Sequence, residues 1–327
     1  MVRTGAHVYV KYGWEGDTYG VLDASTTPNQ VADKKFGLQD KMSSLTLTNN
    51  KVNLAKLNQN TVDKFAYGQQ QGTASMSFTL SNPWIIGAIL GTPTKAGTTP
   101  FTYTYPQTSG LPKTARTIQI EVGYDGLAAD IVRTLKGGIV GSLSISASVG
   151  GLVDCSADVT YGIESAPSSS LGTAPTKPSE EFPYTFAHAE LYFAGALVAQ
   201  CQDASLSLAQ NAELLYGLGN HQGAAAYKRV LDITGSFKAS WLNQTLLDDL
   251  LAQIASTPQE TVGGGATEFR LTFEKSAAEK IVITLTGLAI NDHGVSGLEP
   301  VEPVFEDINW TAKTISVVAT SALTAEQ

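Results

Sequence analysis

The fold is constrained most by residues 72–91, GTASMSFTLSNPWIIGAILG, because they join a one-sided strand directly to a short helix. Apolar residues alternate with serine and threonine in the first part, which predicts a strand with one buried face. Asn82 is a favoured helix N-cap, and Pro83 suits the first helical position, where no N–H donor is needed. The sequence therefore predicts a short apolar helix over residues 83–90, ended by a glycine cap.

The same arrangement recurs in residues 233–254, ITGSFKASWLNQTLLDDLLAQI. An alternating strand is again followed by an asparagine, Asn243, where an N-cap belongs. Leucine and isoleucine then recur at the i, i+3, i+4, i+7 spacing of one helix face. This pattern predicts a second helix over residues 244–254.

The flanks of the two stretches also correspond in the same order, as an internal repeat requires. MSSLTLTNN at residues 42–50 matches DASLSLAQN at residues 203–211 without a gap, so Leu45 corresponds to Leu206 and Leu47 to Leu208. The alternative is that any all-β chain offers alternating strands that can be slid into register. The further correspondences downstream are residues 117–122 with 268–273 and residues 129–137 with 279–287.

The repeat predicts a mainly β chain with two tandem β-sandwich or barrel domains, each flanked by a short α-helix. The chain of 327 residues, of which 43% are hydrophobic, is long enough for two cores. We expect a first domain over residues 1–163 with an N-terminal arm and a second over residues 184–327. Residues 164–183 are dense in proline, serine and glycine and predict a linker.

The charge balance argues against a protein that binds nucleic acid tightly. Lysine and arginine number 21 against 30 aspartates and glutamates, for a net charge of −9, and there is no basic run. Charged residues make up only 16% of the chain, so much of its surface is expected to be neutral or covered by neighbours. No secretion signal or membrane-spanning stretch is visible, which predicts synthesis in a cytoplasm.

Motifs of catalysis, phosphate binding and metal binding are not found in the sequence. The four histidines have no metal-ligand spacing, so we expect no metal, no cofactor and no enzymatic activity. Residues 291–294, Asn-Asp-His-Gly, are interpreted as ordinary turn chemistry. Cys155 and Cys201 are predicted to be small buried residues without a disulfide. Trp84 and Trp241 lie at strand-to-helix junctions, where core packing is favoured over a sugar-binding platform.

Two long polar loops at corresponding positions, residues 49–71 and 210–226, are the best candidates for contacts with other subunits. Long insertions in compact domains usually carry function, and these two occupy equivalent places in the repeat. The residues predicted to contact other subunits are Asn49, Asn50, Lys51, Asn58, Asn60, Lys64, Tyr67, Gln210, Asn211, Tyr216, Asn220 and His221.

The assembled features resemble the tail tube proteins of long-tailed viruses of bacteria and archaea. The resemblance rests on the arrangement of strand, long polar loop, strand and asparagine-led helix. It also rests on the opening HVYVKYGWEGDTYG at residues 7–20 and the following FGLQDKMSSLTLTNN at residues 36–50. In that family, β-sandwich or barrel units form rings of six, and the stacked rings enclose the channel for viral DNA. A chain with two units resembles the fused subset, in which three chains make a pseudo-sixfold ring.

The resemblance implies a structural virion protein of the tail, with itself and other tail proteins as partners and viral DNA passing without specific binding. A trimer is expected, and a hexamer remains open. Glu121 alternates with apolar residues and is the candidate for an acidic side chain facing the channel. The alternative is a two-domain β-sandwich that binds carbohydrate as a virion or cell-surface adhesin, and a β-sandwich hydrolase is the least favoured reading.

Overall fold

The computed structural model describes residues 8–16, 18–22, 34–55, 62–106, 115–124, 131–168, 182–193, 195–198, 200–240, 268–299 and 303–323. Strands dominate this part of the chain, and their order is as follows. The strands of the first half are β1 (Val8–Trp14), β2 (Leu38–Ala55), β3 (Val62–Thr79), β4 (Thr94–Ala96), β5 (Phe101–Thr104), β6 (Ile118–Tyr124), β7 (Ile131–Ser148), β8 (Val153–Tyr161) and β9 (Ile163–Ser168). The strands of the second half are β10 (Ala189–Phe193), β11 (Ala196–Leu197), β12 (Cys201–Ala209), β13 (Glu213–Tyr216), β14 (Gly223–Tyr227), β15 (Asp232–Ser240), β16 (Glu268–Ser276), β17 (Glu279–Thr286), β18 (Ala289–Ser296), β19 (Phe305–Ala312) and β20 (Thr314–Ser321).

The mainly β fold is confirmed. All strand pairs are antiparallel, and the described strands form open sheets, none of which closes into a barrel. One path runs in the order β18-β19-β15-β12-β7-β8-β3-β2, with β1, β6 and β9 attached through β7. A second sheet has the order β11-β10-β16-β17-β20-β5-β4, and β13 pairs with β14 separately. Facing sheets with alternating buried side chains are the arrangement of a β-sandwich.

Strand pairing in the two halves follows one scheme. In the first half, β2-β3-β8-β7 forms one sheet, and β1-β6-β7-β9 forms the other. In the second half, β12-β15-β19-β18 and β10-β16-β17-β20 have the same order, with β17 and β18 together taking the place of the long β7. The register agrees as well: Leu45 lies opposite Ala74, and Leu206 lies opposite Gly235.

Irregularities of the backbone recur at matching places. The ladder between β7 and β8 skips one residue between Val140 and Ser142, and the ladder between β18 and β19 skips one between Ile290 and Asp292. Gly137 and Gly287 have φ angles of 66° and 67° at the point where the chain passes from one sheet to the other. Side chains are disfavoured at such angles, so glycine is required at both bends.

The first predicted helix is present in the expected place but is tighter at its start. Residues Trp84–Ile86 form a 3₁₀ turn that leads into α1 (Gly87–Leu90), and all of these side chains are buried. Asn82 accepts a hydrogen bond at 3.2 Å from the backbone N–H of Trp84, and Gly91 ends the helix with a φ of 103°. The second predicted helix, residues 244–254, lies outside the described residues.

The two halves are joined by more than a linker. Strand β7 of the first half pairs directly with β12 of the second, so one sheet runs through both. The hairpin of β4 and β5 in turn adds to the second half, where β5 pairs with β20. The first residues of the predicted linker form β9, whereas the predicted domain boundaries themselves stay a prediction.

Candidate assembly site

An apolar seam joins β7 to β12 and forms an internal junction between the halves. Leu143 lies opposite Leu208, and Ile145 lies opposite Leu206, with each side chain at most 1% exposed. Alternation places these residues on the core side of the sheet, whereas the serines between them face away. Pairing of two sheet edges thus buries a continuous apolar row at this junction.

Gln210 extends the internal junction beyond the end of β12. Its backbone N–H donates to the carbonyl of Gly141 at 3.0 Å, and its side-chain amide donates to the carbonyl of Val140. The residue is 1% exposed. Gln210, one of the residues predicted to contact other subunits, therefore connects the two halves of the same chain.

Among the residues that the structure describes, β2 and β18 are the two end strands of the long sheet, each paired on one side, and we call them its open edges. They correspond to the two sides of the internal junction. Strand β2 has the place of β12, and β18 has the place of the second part of β7. Leu47 on β2 is 42% exposed, whereas Leu208 at the matching position of β12 is 1% exposed. An open strand edge presents unpaired N–H and C=O groups and is a template for pairing with another strand.

The sequence analysis interpreted residues 291–294 as a turn, but they lie within the open edge strand β18. The turn-forming Asn-Asp pair accommodates the irregularity between Ile290 and Asp292 instead of reversing the chain. The signal was present: extending the match of residues 129–137 with 279–287 along both strands pairs residues 139–146 with 289–296. The edge residues His293 and Val295 were missed for this reason.

The face of the long sheet that points away from the core is lined with hydroxyl groups and carboxylates. Asp158 accepts hydrogen bonds from Ser75 at 2.7 Å and from Ser142 at 2.9 Å, and the hydroxyls of Ser144 and Ser156 are 2.6 Å apart. In the described part of this face, leaving aside residues 49–70 of β2 and β3, aspartates outnumber lysines: the charged residues are Asp154, Asp158, Asp203, Asp232, Asp292 and Asp307 against Lys41 and Lys238. We call this surface the polar face.

The long hairpin of β2 and β3 carries the first predicted contact loop and extends away from the core. Its described outer part is exposed on both strands, including the predicted residues Asn49, Asn50, Lys51, Lys64 and Tyr67. Asn58 and Asn60 lie outside the described residues. Several apolar side chains of the hairpin are also exposed, namely Val52, Leu54, Val62 and Phe65. Exposed apolar groups clustered on a projecting hairpin are typical of a contact surface.

The second predicted loop contacts the base of this hairpin. The hydroxyl of Tyr216 donates to the carbonyl of Gln70 at 2.9 Å, and Nδ1 of His221 lies 3.1 Å from the carbonyl of Gly68. Asn220 instead caps its own loop by accepting from the N–H of Gln222 at 3.0 Å. The second predicted loop therefore contacts strand β3 of the first half within the same chain.

Asn211 supports the turn between β12 and β13. Its backbone has a φ of 46°, a conformation that asparagine tolerates better than most residues. Its side-chain amide donates to the carbonyl of Val230 at 3.2 Å and to Oδ2 of Asp232 at 2.7 Å. These local bonds hold the loop beside the internal junction.

Glu121 does not face a channel, and its selection as a lumen residue is corrected. Its side chain is fully buried, and its Oε1 lies 3.0 Å from Nζ of Lys11, which is 1% exposed. Tyr9 donates a further hydrogen bond to Glu121 at 3.1 Å. Strand β6 is buried on its polar side as well as on its apolar side, since Gln119 is 3% and Glu121 is 0% exposed.

The remaining single residues behave mostly as core. Cys155 is buried and Cys201 is only partly buried, both are free thiols, and burial raises the pKa of Cys201 to about 11. Trp84 is 0% exposed, so it offers no platform for a sugar, and Trp241 lies outside the described residues. Among the residues that the structure describes, no group of His, Cys, Asp or Glu could hold a metal ion. None of the described helices has the length and hydropathy needed to cross a bilayer.

Comparison with known proteins gives one family. The family model described as phage tail tube protein matches residues 5–312, which is nearly the whole chain. No curated protein matches the sequence. Because the match includes both halves, the internal junction and both open edges, the chain belongs to the phage tail tube protein family.

Proposed function

We propose that three copies of this chain close into a ring in which β18 of one copy pairs with β2 of the next, and that stacked rings form the conduit for viral DNA. The observation that carries the proposal is the internal junction, because its two sides recur as the two open edges of the chain. A head-to-tail contact of this kind closes a ring when its rotation divides a full turn. Three chains with two units each then supply a pseudo-sixfold ring.

The pairing of β7 with β12 at the internal junction predicts how β18 pairs with β2 of the next copy. We call this proposed contact between copies the open junction. Transferring the pairs of β7 and β12 to their equivalents places Leu45 opposite Val295, Thr46 opposite Gly294 and Leu47 opposite His293. Asn49 then takes the role of Gln210, with its N–H directed at the carbonyl of Asn291. The predicted contact residue Asn49 thus acquires a partner on the neighbouring copy.

The polar face is the surface that we assign to the lumen. Pairing at every junction continues the long sheet around the ring, so one of its faces must line the inside. The apolar face is occupied by the core, which leaves the polar face with its serines and aspartates. An acidic or neutral wall does not bind DNA phosphates and lets the genome pass.

The projecting hairpin of β2 and β3 is assigned to contacts between stacked rings, together with Asn50, Lys51, Lys64 and Tyr67. Its exposed apolar side chains become buried when a neighbouring ring packs against them. Other tail proteins would meet the same surface at the ends of the stack. The assembled tube belongs to the virion tail, the chain is made in the host cytoplasm, and its role is structural.

Site-directed disulfide cross-linking tests the open junction. The variant Thr46→Cys/Gly294→Cys places two thiols opposite each other, and a side chain at Gly294 meets only ordinary contacts with Asp307. The equivalent internal pair, Ser207 and Ser144, is flanked by hydrogen-bonded positions, so its Cα atoms are of the closely spaced kind that suits a disulfide. Both natural cysteines are replaced by serine or alanine in every variant.

Oxidation should give covalent dimers and trimers, and electron microscopy should show rings of the same preparation. A matched control, Thr46→Cys/Ser296→Cys, shifts one thiol by two residues and should cross-link far less. Equal cross-linking of both variants, or only monomers where rings are visible, would refute the register. Monomeric chains without rings or tubes at any protein concentration would refute the ring itself.

A further inference from the structure

A buried polar pair lies at the open edge formed by β18. Nε2 of His293 is 3.1 Å from Oε2 of Glu306 on the neighbouring strand β19. The two side chains are 4% and 6% exposed, so both point to the core side of the sheet. Burial raises the pKa of Glu306, and the hydrogen bond and charge of His293 oppose that shift.

The matching positions at the internal junction hold apolar residues. The ladders of β18 with β19 and of β7 with β8 share their register and their skipped residue, so His293 corresponds to Leu143 and Glu306 to Cys155. Leu143 is 0% exposed and Cys155 is 4% exposed. The strand pairs β18–β19 and β7–β8 are therefore alike in backbone pairing and differ in the side chains at these two positions.

This difference has a physical consequence for strand pairing. Charged residues that point inward at an edge strand are a means by which β-proteins limit edge-to-edge association. A buried ionic or polar pair also contributes no more stability than well-packed apolar residues of similar volume, and often less. In the proposed register, Leu47 of the next copy covers His293, whereas Leu208 covers Leu143 within the chain.

We propose that the His293–Glu306 pair weakens the open junction relative to the internal one, so that separate chains stay dispersed at concentrations where an apolar edge would associate. The inference rests on the proposed pairing of β18 with β2 of a second copy. The His293–Glu306 pair thus sets how strongly separate chains associate, while each single chain keeps its fold.

The test replaces the polar pair beside the open edge with the residue types found at the corresponding positions of the internal junction. The double variant His293→Leu/Glu306→Cys, kept in reducing buffer, should assemble at a protein concentration at least about tenfold below that of the parent chain. Sedimentation velocity measures this threshold, and thermal unfolding of dilute monomers checks the fold. The single variant His293→Leu should unfold at a lower temperature, because it leaves the Glu306 carboxylate buried without its histidine.

A matched control exchanges the neighbouring pair on the polar face. The side chains of Asp292 and Asn309 are hydrogen-bonded at 2.7 Å, and Asp292→Ser/Asn309→Asp gives them the residues of Ser142 and Asp158 without a change in net charge. Its assembly threshold should stay within about twofold of the parent, because buried packing is unaltered.

If the parent chain forms rings and the folded double variant has the same or a higher threshold, the role of the pair is overturned and the ring stands. If neither chain associates at any concentration, both the ring and the role of the pair are overturned. A threshold lowered equally by the control pair would show that the effect is not particular to His293 and Glu306, which also overturns the inference.

Discussion

Leu47 and Leu208 occupy the same position in two equivalent strands, and they differ in what covers them. Leu208 on β12 lies opposite Leu143 and is 1% exposed, whereas Leu47 on the edge strand β2 is 42% exposed. Both face the core side of the sheet, and in the described part of the chain β12 has a strand on each side, whereas β2 pairs only with β3. Fully burying an exposed leucine side chain is favourable by roughly 1.5–3 kcal/mol, and covering the 42% of Leu47 that is exposed would supply less than half of this as a driving force for adding a strand at β2.

The same substitution at these two positions should therefore separate folding from assembly. Leu208→Ser should destabilise the chain by about 3 kcal/mol through loss of core packing. Leu47→Ser should change the stability of the dilute chain by less than about 0.5 kcal/mol, because the site is exposed before assembly. Denaturant unfolding measures the first effect, and sedimentation should show that Leu47→Ser no longer forms rings. Intact assembly by Leu47→Ser would contradict the pairing of β2 with another copy.

Removing the projecting hairpin should abolish stacking and spare the rings. Residues Asn49 and Gln70 lie opposite each other near the base of the exposed part, so a short Gly-Ser turn can join them. The exposed apolar side chains, including Phe65 and Tyr67, are lost with the hairpin. Single rings in place of tubes are expected by electron microscopy. Tubes of normal length would exclude the hairpin from ring-to-ring contacts, and loss of rings would assign it to the ring.

Many of the strands could be predicted from the sequence, because alternation and the Leu-x-Leu spacing reflect one buried face. The stretches 49–71 and 210–226 were predicted as loops and this was wrong in part, since they contain the outer ends of β2 and β3 and the strands β13 and β14. The position of the first helix followed from the Asn82–Pro83 pair. The tight 3₁₀ turn at its start could not be foreseen, since it depends on how Trp84 packs under the sheet. Side-chain volume is also distributed differently across equivalent pairs in the two halves. Ala74 lies opposite Val159, whereas Gly235 lies opposite Trp310.

The candidate site was predictable only in part, for a physical reason. Polarity marks a loop as exposed, but it does not say whether the loop contacts its own chain or another. Tyr216 and His221 bond to the β3 strand of the same chain, which no local pattern indicates. Glu121 alternates like a solvated strand residue, yet its side chain is 0% exposed and pairs with the buried Lys11.

The buried pair of Lys11 and Glu121 should be sensitive to loss of either member. Their side chains are 1% and 0% exposed and 3.0 Å apart. Glu121→Gln should destabilise the chain by about 3–5 kcal/mol, because it leaves the Lys11 ammonium buried without its counter-charge. The double variant Lys11→Met/Glu121→Leu should recover most of that stability. Urea unfolding checks both variants, and additive losses in the double variant would contradict a coupled pair.

Glu15 should make the stability of the folded chain depend on pH. Its carboxylate accepts hydrogen bonds from the N–H of Gly20 at 2.9 Å and from the N–H of Gly137 at 2.7 Å, and burial raises its pKa despite these bonds. A carboxyl group whose pKa is raised in the folded state contributes most to the stability of the fold at pH values below its ordinary pKa. That contribution is lost as the pH rises through the folded value.

The melting temperature of the parent chain relative to Glu15→Gln should therefore fall as the pH rises from about 4 to 7. The amide keeps the size of the side chain and does not titrate, so the variant supplies the reference at each pH. Circular dichroism melts at matched ionic strength measure the difference. A difference that is constant or grows with pH would show that burial does not dominate the environment of Glu15.

The last prediction concerns the charge of the polar face. Ser144 and Ser156 lie near its middle, with hydroxyls 2.6 Å apart and no role in the core. If this face lines the lumen, Ser144→Lys/Ser156→Lys places two cations at every first unit around each ring. Contacts of lysine with phosphate release counterions, so binding of duplex DNA should appear and weaken steeply with added salt.

Tubes of the parent chain should bind duplex DNA weakly at low salt, whereas tubes of the lysine variant should retain it inside. The control Ser276→Lys/Ala277→Lys adds the same charge at the exposed turn between β16 and β17, away from the polar face. DNA in the control should remain accessible to nuclease, and DNA in the lysine variant should be protected. Nuclease protection is the decisive measurement, because an outer surface can bind DNA but cannot enclose it. Equal protection in both variants, or none in either, would place the polar face outside the channel.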